Sequence, residues 1–279
     1  MAGPPKCNLA CPYCVSKMSY RLRAKPGEPL TPERIAFLAD RFLEVSGRRP
    51  GEKLSGIITG KGEPTLSPLR DIGQLIDVLS RKGFTTELQT NGTLLEREKL
   101  YYLKWLGLDT IALSCVSHLD AVNSRIMAAG RFSWDLGRVA RTASDMGMLV
   151  RLTAILTKGG IDSPDSFLAF MNWAKETGVK QVTLRKMGEP RNLALPGSMR
   201  IANWIRKNYV DPDFIVTILR EGATEMEPWP WALRFDYQGI SVVITDHMTA
   251  PEKGIIRHGV IQPDGHLYGS WDDPKDIIA

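Results

Sequence analysis

The chain has 279 residues, of which 43% are hydrophobic and 24% charged, with a formal net charge of +5 at pH 7. That length can bury a full core, and the composition excludes a disordered tail. No apolar run approaches the roughly 20 residues needed to span a bilayer, and Met1-Ala2-Gly3-Pro4-Pro5-Lys6 has no signal-peptide character. Four cysteines are few for a disulfide scaffold of this size, so a reducing cytoplasm is the expected setting. Basic residues are scattered, as in Arg21, Arg23 and Lys25 or Arg81 and Lys82. A nucleic-acid partner is therefore not the favoured reading of the charge.

In chain order, three cysteines come first, in the run Cys7-Asn8-Leu9-Ala10-Cys11-Pro12-Tyr13-Cys14. Residues 15–29 read as a polar, basic loop. A helix then opens with Thr31 as N-cap and Pro32 at its first position, with Leu30 stapling onto Ile35. Its stripe is Ile35, Leu38, Phe42 and Val45, and Gly47 ends it. Ser55 to Thr59 reads as a buried strand leading into Gly60-Lys61-Gly62-Glu63-Pro64-Thr65. A second helix carries Leu69, Ile72, Ile76 and Leu79 and stops at Gly83.

The alternation continues with strand Thr85–Gln89, a turn at Asn91-Gly92, helix Glu96–Leu106 and strand Thr110–Cys115. A helical stretch broken near Gly130 runs from Ala121 to Met146. Strand Leu149–Leu156, a helix opened by Ser163 and Pro164 and ended at Gly178, and strand Val182–Lys186 follow. Beyond residue 210, Phe214–Leu219, Ala232–Tyr237, Ser241–Thr245 and Gly259–Ile261 read as short β-prone pieces, with a hairpin turn at Asp264-Gly265.

Strands and helices alternating in this way predict an α/β fold with a mostly parallel sheet covered by helices. Pattern alone leaves open whether it is a barrel or an open doubly wound sheet. In both, chemistry belongs at the C-terminal strand ends, where the glycine-rich and cysteine-bearing segments named here fall. The expected organisation is a core domain over 1–210 and an extension over 211–279 that completes or covers it.

Three thiols on one short loop are soft ligands for a metal. Zinc would need a fourth protein ligand, with His118 or Cys115 as candidates. A [4Fe–4S] cluster would leave one iron open. Gly60 and Gly62 let backbone come close to a ligand, and Glu63 can accept from a charged amino group.

The Cys-x3-Cys-x2-Cys run, with Tyr13 before its last cysteine, resembles the cluster loop of radical S-adenosylmethionine (SAM) enzymes. Gly60-Lys61-Gly62-Glu63-Pro64 resembles that family's glycine-glycine-glutamate motif with one residue inserted. Asn91-Gly92-Thr93 resembles a further recurrent segment, and Ser114 matches a position that often lies beside the SAM amino acid moiety. The resemblance spans roughly residues 6–190. One departure is that only six residues precede Cys7, so the family's first strand is abbreviated or the natural N-terminus is longer.

The resemblance implies a partial (β/α)6 barrel with additional C-terminal β-rich elements. It implies Cys7, Cys11 and Cys14 as ligands of three irons of a [4Fe–4S] cluster, with SAM chelating the fourth. One electron, from a donor such as flavodoxin or ferredoxin, then cleaves SAM to methionine and a 5′-deoxyadenosyl radical that takes a hydrogen atom from substrate. Gly60, Gly62, Glu63, Asn91, Ser114, Arg151 and Arg185 are the candidate cofactor contacts. Arg151 pairs with the SAM carboxylate or with a neighbouring acid, and Arg185 meets cofactor or substrate. Cys115 is either a small buried hydrophobe or a hydrogen-atom donor to a product radical.

The favoured substrate is a small molecule, nucleotide- or sugar-like. A tRNA base, a peptide or a glycyl-radical enzyme are rivals, as is a metal-bearing interaction module without SAM turnover.

Overall fold

The computed structural model describes residues 6–17, 30–47, 51–60, 62–128, 130, 134–190, 193–194, 197–229, 231–245, 258–270 and 275–279. The loop expected at 15–29 lies mostly outside them, as does Lys61. Helix α1 (Pro32–Val45) starts as its sequence predicts, the Thr31 side chain accepting from the Arg34 amide. Strand β1 (Ser55–Ile58), helix α2 (Leu69–Arg81), β2 (Thr85–Thr90), α3 (Arg97–Trp105) and β3 (Thr110–Cys115) follow. The stretch from Ala121 to Met146 divides into α4 (Asp120–Ile126) and α5 (Leu136–Asp145). Then come β4 (Leu149–Ile155), α6 (Pro164–Glu176) and β5 (Gln181–Arg185).

Two helices follow β5: α7 (Ser198–Asn208), which the sequence reading does not contain, and α8 (Asp213–Gly222). Helix α8 corrects the β-prone reading of Phe214–Leu219. Its β-branched run was ambiguous in period, and Ile215 and Leu219, four apart, bury together on one helical face. Strands β6 (Thr224–Trp229), β7 (Ala232–Tyr237) and β8 (Ile240–Thr245) precede a hairpin of β9 (Val260–Ile261) and β10 (Leu267–Tyr268). The hairpin turns at Asp264-Gly265 as expected, with Gly265 at φ +76°, and the Gly265 carbonyl accepts from Arg34 Nε of α1 at 2.9 Å.

One eight-stranded sheet runs in the order β1-β2-β3-β4-β5-β8-β7-β6. Strands β1 to β5 and β8 are parallel, while β7 and β6 are antiparallel additions. The sheet therefore continues across residue 210, because β8 pairs directly with β5.

Strand alternation divides the sheet into two chemically opposite faces. Leu88, Ile111, Leu113, Val150, Leu152, Val182, Leu184 and Val242 are fully buried on one face. Helices α2, α5 and α8 contact the sheet strands, and burial of each such aliphatic side chain contributes about 1.5–3 kcal/mol. The other face carries Glu87, Gln89, Ser114, Arg151, Thr153, Thr183, Arg185 and Ser241. Among the described residues, no helix is long and apolar enough to cross a membrane.

Candidate functional site

The cysteine loop is held at both ends by backbone. The Glu63 amide donates to the Lys6 carbonyl at 2.9 Å, and the Ala10 amide donates to the Met127 carbonyl, past the end of α4, at 3.2 Å. The Cys11 thiol also points at the Met127 carbonyl, 3.7 Å away. Within the loop, the Leu9 amide donates to Cys7 Sγ and Lys17 Nζ donates to the Cys11 carbonyl. Gly62 is required here by its neighbour, since a Cβ would overlap the Lys6 carbonyl oxygen. A Cβ on Gly60, by contrast, would meet nothing within 4 Å. The two glycines of one motif thus do different things: Gly62 admits the cysteine loop, and Gly60 faces open space.

Glu63 and Asn91 tie three separate sequence motifs into one network. The buried Glu63 carboxylate accepts from the Thr65 amide at 3.1 Å, the Thr65 hydroxyl at 2.6 Å, the Thr90 hydroxyl at 2.6 Å and the Asn91 amide at 2.8 Å. Three of these donors meet Oε1, and one, the Asn91 amide, meets Oε2. Asn91 Nδ2 donates to Asn8 Oδ1 at 2.8 Å, and Asn8 Nδ2 donates to Thr93 Oγ1 at 2.7 Å. The Asn91 Oδ1 accepts from the Thr93 amide and hydroxyl, and its carbonyl accepts from Trp134 Nε1. Both side chains expected to meet a ligand are thus also hydrogen-bonded within the protein.

Cys7 is exposed while Cys11 and Cys14 are half-buried. Burial, then the nearby Cys14 and Cys7, push the Cys11 thiol up to about 12. Burial also raises Cys7, with Glu63 and Cys14 adding to it and the Leu9 amide and Lys17 opposing. Thiols so placed are protonated until a metal takes them, so loading releases protons. Among the described residues, no three His, Cys, Asp or Glu side chains converge on one point as a single ion requires.

An apolar plug sits beside the loop. Tyr13 and Trp204 of α7 have ring centroids 5.7 Å apart and pack with Met187, Ile201, Ile205 and Ile155. The Tyr13 hydroxyl is enclosed without a hydrogen-bond partner, and burial carries it well above the usual phenol range.

The polar sheet face holds the remaining candidates. Arg151 forms an ion pair with Glu87, whose carboxylate also accepts from Gln89 Nε2 at 3.2 Å. Of the two partners expected for Arg151, the neighbouring acid is the one seen here. Burial pushes the Glu87 carboxyl up, with the Arg151 guanidinium pulling it back. Ser114 stands opposite Thr153 in register, and the Thr153 hydroxyl is buried without a partner. Arg185 also has an unpartnered, buried Nε, and burial followed by Arg151 lowers its pKa.

Cys115 lies in the core. It is 1% exposed and shares the face of Ile111 and Leu113, so its thiol belongs to the helix-side core. Burial alone drives that thiol far above its ordinary range.

Sequence reasoning missed Asn8, Met127, Trp134 and Trp204. Only Asn8 had a visible signal, as a paired polar residue inside the cysteine run.

A parallel α/β sheet whose strand ends are bound to a three-thiol loop and an open glycine defines an enzyme class built around a sulfur-ligated centre. The chain belongs to the radical SAM superfamily, whose family model matches residues 2–191. That family's enzymes use a [4Fe–4S] cluster and SAM. The GTP 3′,8-cyclase of Aquifex aeolicus (strain VF5) is 28% identical over 177 residues, 62% of this chain and 51% of the relative. An uncharacterized protein of Methanocaldococcus jannaschii is 33% identical over 186 residues, 66% of this chain and 57% of the relative. The chain thus matches just over half the length of these curated relatives.

Among solved structures, coproporphyrinogen III oxidase (HemN) from Escherichia coli superposes with a TM-score of 0.52 at 16% identity, covering 79% of this chain and 52% of that one. SuiB of Streptococcus suis, bound to S-adenosylmethionine, gives 0.51 at 19% identity, covering 78% and 43%. Both share the fold.

Proposed function

We propose that Cys7, Cys11 and Cys14 each ligate one iron of a [4Fe–4S] cluster and that the space before Gly60 receives the amino acid end of SAM. The observation that carries this reading is the network Glu63–Asn91–Asn8, which fixes the cysteine loop against the glycine-rich strand end and the Asn91-Gly92-Thr93 turn. Open space at Gly60 and the unpartnered Thr153 hydroxyl fit a ligand with polar groups lying along the sheet. When bound, the pair supplies one-electron cleavage of the sulfonium S–C5′ bond, giving methionine and a carbon radical that takes a hydrogen atom from substrate and leaves as 5′-deoxyadenosine.

The chain's own residues position and shield. Glu63 and Asn91 set the loop geometry from within the protein. Tyr13 and Trp204 wall one side of the loop with apolar surface, and Arg185 offers a cation on the polar face. The substrate is a small molecule, and the GTP-directed name of the Aquifex relative supports a nucleotide-like one. The electron comes from a flavodoxin- or ferredoxin-class donor in the cytoplasm.

Anaerobic reconstitution tests the assignment. Four irons and acid-labile sulfide per chain, with dithionite-dependent release of methionine and 5′-deoxyadenosine from SAM, are the expected result. Zinc without sulfide would overturn it.

A further inference from the structure

We infer that a cavity on the polar sheet face, between β4 and β7, binds an oxyanion group, a phosphate or a carboxylate, through Arg185 and Arg234. The cavity measures about 350 Å³ and is lined by Arg151, Thr183, Arg185, Arg234, Trp229 and Trp231 among others, with no carboxylate in its wall. Three guanidinium groups line one open cleft. Arg151 is neutralised by Glu87. Arg185 and Arg234 form no salt bridge among the described residues, although Glu87 also acts on Arg185 from beyond contact distance, and each has a buried Nε without an acceptor.

Register shows that the two converge. Arg185 pairs across to Thr245 of β8, and Arg234 of β7 stands opposite Val243 of the same strand. The two residues are therefore two strands apart and two positions offset along the strand, roughly 12 Å at the backbone, and long side chains from both reach one oxyanion. Arg234 is already oriented: its guanidinium lies 4.3 Å over the Trp229 ring, and Nη1 donates to the Glu227 carbonyl at 3.3 Å. Stacking and that single bond leave the rest of the guanidinium edge for a bidentate partner. Partly buried cations without counter-ions are costly, and a charged ligand is the physical way to remove the cost.

The site is separate from the Gly60 corner. Gly60 follows β1 at one edge of the sheet, whereas the cavity spans β4, β5, β8, β7 and β6 toward the other. Oxyanion binding stands on the cavity itself; calling it the substrate's anchoring subsite rests on the proposed SAM chemistry.

The test is titration of the reconstituted chain with inorganic phosphate and, separately, with malonate at constant ionic strength, read by calorimetry and by tryptophan fluorescence from Trp229 and Trp231. We expect saturable one-site binding of at least one probe, weakened tenfold or more in Arg185→Gln and again in Arg234→Gln, and unchanged in the surface control Arg138→Gln. Arg185→Lys should restore part of the affinity. A preference for phosphate marks a phosphate ester as the source, and a preference for malonate marks a carboxylate. Absence of binding by wild type, or wild-type affinity in both glutamine variants with native circular dichroism, overturns the inference; either variant suffices if the other misfolds. SAM cleavage is scored on the same preparation. Binding without cleavage defeats the proposed function and leaves this site standing, while cleavage without binding does the reverse.

Discussion

Asn91 donates from Nδ2 to Asn8 Oδ1 across 83 positions of sequence, so a residue inside the cysteine loop is clamped to the turn after β2. Asn8 returns a bond to Thr93 Oγ1, closing a three-residue ring that fixes the loop's height above the sheet. Asn8→Ala removes both contacts and leaves the Asn91 amide short of an acceptor. A part-buried amide stranded in this way costs about 1 kcal/mol, a fall in Tm of roughly 2–4 °C. The larger effect is expected in iron retained per chain after gel filtration, which should drop at least twofold. Wild-type iron content in Asn8→Ala would show that the ring does not position the loop.

Gly60 and Gly62 should separate cleanly. A methyl group at Gly62 strikes the Lys6 carbonyl, which is backbone and cannot swing aside, so Gly62→Ala must displace the start of the cysteine loop and break the Glu63–Lys6 bond. At Gly60 the same methyl meets open space. Gly62→Ala is expected to lose most of its cluster at any SAM concentration. Gly60→Ala should keep its cluster and stability and bind SAM at least tenfold more weakly. Equal behaviour of the two would refute the division of labour.

The sequence made most of the architecture legible because its signals were local. Thr31-Pro32 marks a helix start, and alternating buried positions mark β4 and β5, whatever lies around them. Phe214–Leu219 failed because six residues rich in β-branches, five of them apolar, carry no decisive period, and the burial of Ile215 with Leu219 decides the matter only in three dimensions. At the site, the cysteines and glycines were visible as types, but the duties of Glu63 and Asn91 were not. Three of their donors are backbone amides, of Thr65, Asn91 and Thr93, and a sequence does not show where amides point. Arg234 and Trp229 become a cavity wall only through the pairing of β7 with β8, which local sequence does not show.

Glu63→Gln distinguishes an architectural carboxylate from a ligand. Four donors converge on two oxygens, and an amide would turn an NH2 group toward at least one of them. A buried network broken at one member costs about 1–3 kcal/mol. The melting temperature of the cluster-free chain should fall accordingly, before SAM is added. An unchanged Tm with only a weakened SAM affinity would assign Glu63 to the ligand instead.

Tyr13→Phe should be tolerated. The hydroxyl is enclosed without an acceptor, so its removal deletes an unsatisfied group, and stability should hold or rise by up to about 1 kcal/mol. Trp204→Ala, on the other side of the contact, should cost about 1–2 kcal/mol for a half-buried ring. Iron content in Trp204→Ala should fall as the plug beneath the loop loosens. A strong loss of cluster in Tyr13→Phe would mean that the hydroxyl has a partner once the loop is loaded.

The Arg151–Glu87 pair gives a pH-dependent test whose sign is fixed by burial. The folded protein already holds the Glu87 carboxyl above its ordinary range, with Arg151 pulling the other way. Arg151→Met removes that pull, so the folded-state pKa rises further while the unfolded value stays near about 4.3. A carboxyl raised on folding contributes stability that is present below the unfolded pKa and lost as pH climbs through the folded one. The variant's deficit against wild type should therefore be small in mild acid and grow toward pH 8, where an unpaired buried carboxylate costs about 3 kcal/mol. Urea midpoints of the two proteins at pH 5 and pH 8 measure it. In Arg151→Met combined with Glu87→Gln the added slope should vanish, because no titrating group remains at the site; a slope that survives the double substitution would place its origin elsewhere.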